Sequence, residues 1–176
     1  MLDKIDEAAD SNLAYVALMM AMTLPDICGA LESENGQTTG AKYQAWYEAN
    51  MDPYFLKEFD HGNAEDGEVW LSAQDCYRFR CSLLHQGLGK DERTVRRSIS
   101  FTYPLEKPEP EKYGPTVFSV ADGLEIDVRR FAHYMTRSVR KWLDENENVE
   151  PVATNLKNMM QGRVYEANPG QRIWVS

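Results

Sequence analysis

The sequence predicts a mainly α-helical protein, a helical bundle with a small β-hairpin insert. Apolar residues recur at three- and four-residue steps in several separate segments, the spacing of amphipathic helices. Strand-type alternation is confined to one stretch, and a proline-rich connection follows it. The length of 176 residues, with 43% hydrophobic and 11% aromatic, bounds the chain to a single domain, 1–176, with enough apolar mass for a core. That composition is too hydrophobic for a disordered chain.

Taken in order, residues 3–24 read as a first helix, with Leu13, Val16, Ala17, Met20 and Leu24 on one stripe. Pro25 is expected to interrupt or kink it, and Pro25-Asp26 to open a short helix over 26–33. Ser33 to Gly40 is a polar loop rich in turn formers. A helix over 41–50 places Tyr43, Trp46 and Tyr47 at helical spacing, which favours a core role over base stacking. The acidic segment 58–68 reads as a loop. Ser72, with Asp75 three residues on, resembles a capping box and opens a helix to about His85, closed by Gly87 and Gly89.

Val95, Arg97, Ile99, Phe101 and Tyr103 then alternate as in a strand, and Thr116–Ala121 reads as its partner across a loop holding Pro104, Pro108, Pro110 and Pro115. This defines a hairpin insert over 95–121. Asp122-Gly-Leu-Glu125 reads as the start of the next helix. That helix carries the cleanest amphipathic pattern in the chain: Val128, Phe131, Ala132, Met135, Val139, Trp142 and Leu143. Pro151 starts a last helix to about Gln161, and Gln171–Val175 reads as extended. The expected core is Leu13, Val16, Met20, Trp46, Leu83, Leu84, Phe131, Met135, Val139 and Trp142.

With 19 basic and 28 acidic residues the net charge is -9, which excludes a protein that coats nucleic acid with its whole surface. The longest apolar run, Ala14–Met22, is short of the ~20 residues that span a bilayer. The acidic start lacks the cationic region of a secretory signal. Cys28, Cys76 and Cys81 are an odd set without a disulfide framework and fit reduced thiols. A cytoplasmic protein without membrane contact is expected.

Charge is uneven along the chain. Between Arg78 and Arg97 six basic residues (Arg78, Arg80, Lys90, Arg93, Arg96, Arg97) face two acidic ones, Asp91 and Glu92. Phe55–Glu68 has the opposite bias. Within the basic segment, Arg78, Arg80 and His85 share one helix. Arg78 and His85 are seven apart and lie within about 20° around the axis, whereas Arg80 and His85 diverge by roughly 140°. Histidine can give or take a proton near neutrality, and a guanidinium can hold a phosphate through its planar fork. Together they are the minimum set for cleaving a phosphodiester without metal, with the RNA 2′-hydroxyl as nucleophile. The plainer alternative is a histidine placed at a helix C-terminus to meet the dipole or the last carbonyls.

The stretch Arg78-Phe-Arg-Cys-Ser-Leu-Leu-His85-Gln-Gly resembles the signature of the HEPN superfamily, an arginine followed after four to six residues by histidine near a helix end. Arg80 to His85 fits the shorter spacing and Arg78 to His85 the longer, so either arginine can fill the motif position. The ending Leu-Leu-His-Gln-Gly is similar to bacterial and phage proteins of HEPN-like type. The resemblance covers about Ser72–Gly87. It implies a helical bundle that forms a homodimer, with two Arg/His sets facing across the cleft as a metal-independent endoribonuclease. It also implies RNA as substrate, toxin or phage-defence biology, and an antitoxin or another protein as partner. Arg80 and His85 are then the catalytic pair, with Arg78, Lys90 and Arg93 as substrate contacts and no metal or other cofactor. One departure is Cys81, where active members often carry Asn, Asp or His; a thiol is the weaker donor.

Other chemistries fit less well. Cys81 and His85 have the spacing of a metal pair and Cys76 could add a ligand, but His61, His133 and Cys28 do not complete a paired zinc pattern. A Cys81–His85 nucleophile dyad lacks an orienting partner. Asp60–Glu68 departs from EF-hand order, and no Gly-rich phosphate loop occurs. The competing class is a non-catalytic acidic interaction protein that keeps the fold as a dimeric scaffold or sequesters a basic partner. Two symmetric Arg/His sets lining an open groove favour catalysis; an Arg80 held in an internal carboxylate pair favours the scaffold.

Overall fold

The computed structural model describes residues 1–11, 13–55, 69–86, 98–103, 117–120 and 123–159. It is mainly helical, as the periodicity predicts. Seven helices are α1 (Leu2–Ala9), α2 (Ala14–Leu31), α3 (Gly40–Asn50), α4 (Asp52–Phe55), α5 (Ala73–Gln86), α6 (Val128–Asn146) and α7 (Val152–Asn158) among the described residues. Three strands are β1 (Ser98–Thr102), β2 (Val117–Val120) and β3 (Gly123–Asp127).

The expected first helix is two. The break falls at the helix-poor run Asp10-Ser11, where the Ser11 hydroxyl bonds back to the Ala8 carbonyl at 3.1 Å. Pro25 does not end α2, which runs on to Leu31. Pro25 is itself buried, and α2 packs on α1, α3, α5 and α6, so tertiary burial outweighs the proline's helix cost of about 3 kcal/mol. The buried face of α2 is Ala17, Leu18, Ala21, Met22, Leu24 and Cys28. Leu13, Val16 and Met20 are instead 54%, 49% and 38% exposed, and Leu84 is only half-buried, which corrects four of the expected core positions. By length and composition α2, at 18 residues and mean hydropathy 1.6, could cross a membrane; half of it is buried inside the molecule.

Elsewhere the core follows the sequence pattern. Tyr43, Trp46 and Tyr47 are buried, as are Leu83, Phe131, Met135, Val139 and Trp142. Trp46 meets Trp142 edge-on with ring centroids 6.2 Å apart, which joins α3 to α6. Ser72 caps α5: its hydroxyl accepts from the Asp75 amide at 3.2 Å and donates to the Asp75 carboxylate at 2.7 Å.

The sheet departs from the expected hairpin of 95–121. Its order is β1-β3-β2, with β3 central, parallel to β1 and antiparallel to β2. The segment expected to start a helix at Asp122-Gly-Leu-Glu125 supplies this strand, and α6 begins only at Val128, capped by the Asp127 carboxylate accepting from the Arg130 amide at 3.0 Å. Leu124 and Ile126 are buried and pair in register with Ile99 and Phe101. Phe101 then packs on Phe79 of α5 and Phe131 of α6, at 4.8 and 5.2 Å between centroids, which fixes the sheet against the bundle.

Candidate functional site

The end of α5 is where the sequence concentrates its chemistry, and helices α2 and α3 shape it. Along α5 the buried stripe is Cys76, Phe79 and Leu83, which turns Arg78 and Cys81 toward the other side of the helix. Arg80 lies at the margin of the stripe, and its Nη2 meets Asp26 Oδ2 of α2 at 2.6 Å. The side chains are 20% and 14% exposed, so this is a mostly buried ion pair across two helices. Burial works against the Arg80 charge; Asp26 and Cys81 outweigh it and raise the group above its ordinary value.

Asp26 is the residue that sequence reasoning missed. Its signal was present: between Ala14 and Leu31 it is the one charged side chain. A lone charge in a core helix requires a partner, because burying it unpaired costs several kcal/mol, of order 3–5 when one member of a pair is removed. Arg80 on the facing helix is that partner.

Cys81 completes the cluster. The Arg80 Nη1 donates toward its sulfur at 3.8 Å, and Tyr77 bonds to the same thiol. Hydrogen bonding to Cys81 and its charge, with some burial, raise the Tyr77 phenol, against the pull of Arg80. Tyr77 also stacks obliquely on Tyr43 at 5.2 Å. Its ring lies against the start of α3, where a Cβ on Gly40 would come within 2.7 Å of the ring. Gly40 thus permits α3 and α5 to approach at the site.

His85 belongs to the last turn of α5; its side chain lies outside the described residues, as do Lys90 and Arg93 entirely. Arg78 is half-buried on α5. The structure therefore brings Arg78 and Arg80 to one helix end with the backbone of His85, and ties Arg80 to Asp26.

Cys76 does not join Cys81. It is buried between the Tyr43 hydroxyl at 3.2 Å and the Met22 sulfur at 3.6 Å, and burial pushes its thiol up to about 12. Burial likewise raises the Cys28 thiol, so both are core residues without thiolate chemistry. Among the described residues, no three His, Cys, Asp or Glu side chains group as metal ligands.

Comparison with protein-family models, with curated proteins and with solved structures gives no match to this chain.

Proposed function

We propose that this chain is a HEPN-like, RNA-associated protein that acts as a metal-independent endoribonuclease, with the end of α5 as its site. The observation that supports this reading is the Arg80–Asp26 pair one turn before His85. A guanidinium already held by a carboxylate has lost its rotamer freedom before a substrate arrives, which is how supporting residues prepare catalytic ones. His85 takes the 2′-hydroxyl proton, the oxygen attacks the neighbouring phosphorus, and the 5′-oxygen leaves with a proton. Arg80, assisted by Arg78, stabilises the charge that builds on the phosphorane. Lys90 and Arg93 extend the contact along the backbone. On this reading the protein is a cytoplasmic homodimer of toxin or defence type, held in check by an antitoxin or another protein partner.

A second reading has its own observation. Asp26 offsets the Arg80 charge, and the chain as a whole is acidic, at -9. Arg80 is then a clasp between α2 and α5, and the protein is a non-catalytic acidic interaction protein that binds a basic partner. Incubation of the purified chain with RNA in EDTA separates the two. The first reading expects cleavage that leaves 2′,3′-cyclic phosphate ends and is lost in His85→Ala and Arg80→Lys; the second expects intact RNA.

A further inference from the structure

We infer that α1 is a proton-dependent latch on α6, closed by the doubly protonated ring of His133 between two carboxylates. His133 Nδ1 lies 3.1 Å from Asp6 Oδ1, and Nε2 lies 3.1 Å from Asp10 Oδ1. A neutral imidazole has one N–H and one lone pair, and an ionised carboxylate only accepts. With a neutral ring, one of these two contacts sets lone pair against lone pair. The imidazolium donates to both. Asp6 is kept as an acceptor by two more donors, the Thr136 hydroxyl at 2.6 Å and Arg140 Nη2 at 2.8 Å.

The latch matters because little else secures α1. An eight-residue helix is too short to persist alone in water, and α1 buries only Ile5 and Ala9. Its polar attachments to α6 are His133, Thr136 and Arg140, the last also holding Asp3 at 2.7 Å. Facing this contact, α1 supplies Asp3, Asp6 and Asp10, while its Lys4 and Glu7 pair with each other. On α6 the charged groups are Arg129, Arg130, Arg137, Arg140 and Lys141. From α2, packed on both helices, come Tyr15, buried Cys28 and Asp26, the last in its pair with Arg80. Helix α3 brings Lys42, Tyr43, Tyr47 and Glu48, and β3 brings Glu125 and Asp127. Imidazole is the side chain in this set that changes charge between pH 5 and 8.

Docking of α1 therefore takes up a proton. It weakens as pH rises through the imidazole range, and weakens again in acid, where Asp3, Asp6 and Asp10 become neutral. Opening the latch uncovers the α2 and α6 surfaces beneath Ile5 and Ala9. That surface adjoins Leu13, Val16 and Met20, so the exposed apolar area grows at higher pH.

Amide hydrogen exchange on the full chain at pH 5.5 and 8.0, corrected for intrinsic exchange, tests this, with α3 as internal reference. Protection of residues 2–9 is expected to fall about tenfold at the higher pH while α3 holds steady. His133→Gln should abolish the difference. In Asp10→Asn the carboxamide can turn its NH₂ toward the unprotonated ring nitrogen, so protection should stay high at both values. His61→Gln and His85→Gln should keep the wild-type response. Protection of α1 that does not depend on pH in the wild type, or a dependence that survives in His133→Gln or Asp10→Asn, overturns the latch.

Discussion

At the scale of single residues, the Arg80–Asp26 pair carries both stability and the proposed chemistry. Removing one partner leaves the other charge mostly buried, so Arg80→Ala should cost about 3–5 kcal/mol in urea melts. Replacing both, as Asp26→Leu with Arg80→Met, should recover most of that loss. Single and double variants of equal stability would show that the pair is not a clasp. Arg80 and His85 were legible in the sequence because their spacing resembles a motif, whereas Asp26 was not, because ion pairs across helices leave no periodic trace. Its isolation in an apolar helix was the available signal. A second titratable group gives an independent pH test. Burial, helped by Glu48, pushes the Asp52 carboxyl from its ordinary 3.8 up to about 6. The fold thus favours the neutral form. That contribution is complete below pH 3.8 and is lost as pH rises through about 6. Asp52→Asn should raise Tm at pH 7–8 and leave it unchanged near pH 3.5; an equal shift at both would mean that ionisation is not the cause.

At the scale of elements, legibility tracked how much contrast each segment offered. The apolar stripe of α6 stands out against Arg130, Arg137, Lys141 and Asp144, so its buried face could be read directly. Phe131→Ala or Trp142→Ala should accordingly cost about 3–5 kcal/mol. In α2 nearly every position is apolar, so helical spacing selects no face, and the stripe Leu13, Val16 and Met20 was as regular as the buried one. Leu13→Ser or Val16→Ser should change stability by no more than about 0.5 kcal/mol, since both are exposed in the chain. A loss of several kcal/mol there would require these side chains to be covered. The sheet was misread for a different reason. Asp122-Gly has the composition of a turn or helix start, and it masked the alternation of Leu124 and Ile126 that makes β3 a strand. Parallel pairing of β1 with β3 is non-local and depends on the aromatic contacts of Phe101 with α5 and α6.

At the scale of the whole molecule, an acidic chain works against RNA encounter, and the proposed activity depends on a local basic site overcoming it. The six basic residues between Arg78 and Arg97 supply that contrast. Association should therefore weaken steeply with added salt. The helical bundle serves chiefly to bring α5 beside α2, where Asp26 fixes Arg80, and beside the start of α3, where Gly40 admits Tyr77. The most direct measurement is cleavage of a mixed-sequence RNA in EDTA by the wild type and by His85→Ala, with thermal melts to verify that both are folded. The expected result is wild-type cleavage with 2′,3′-cyclic phosphate ends, no cutting of DNA, and loss of cleavage in His85→Ala at unchanged Tm. Cleavage that persists in His85→Ala, cleavage that needs a divalent ion, or RNA left intact by the folded wild type would contradict it.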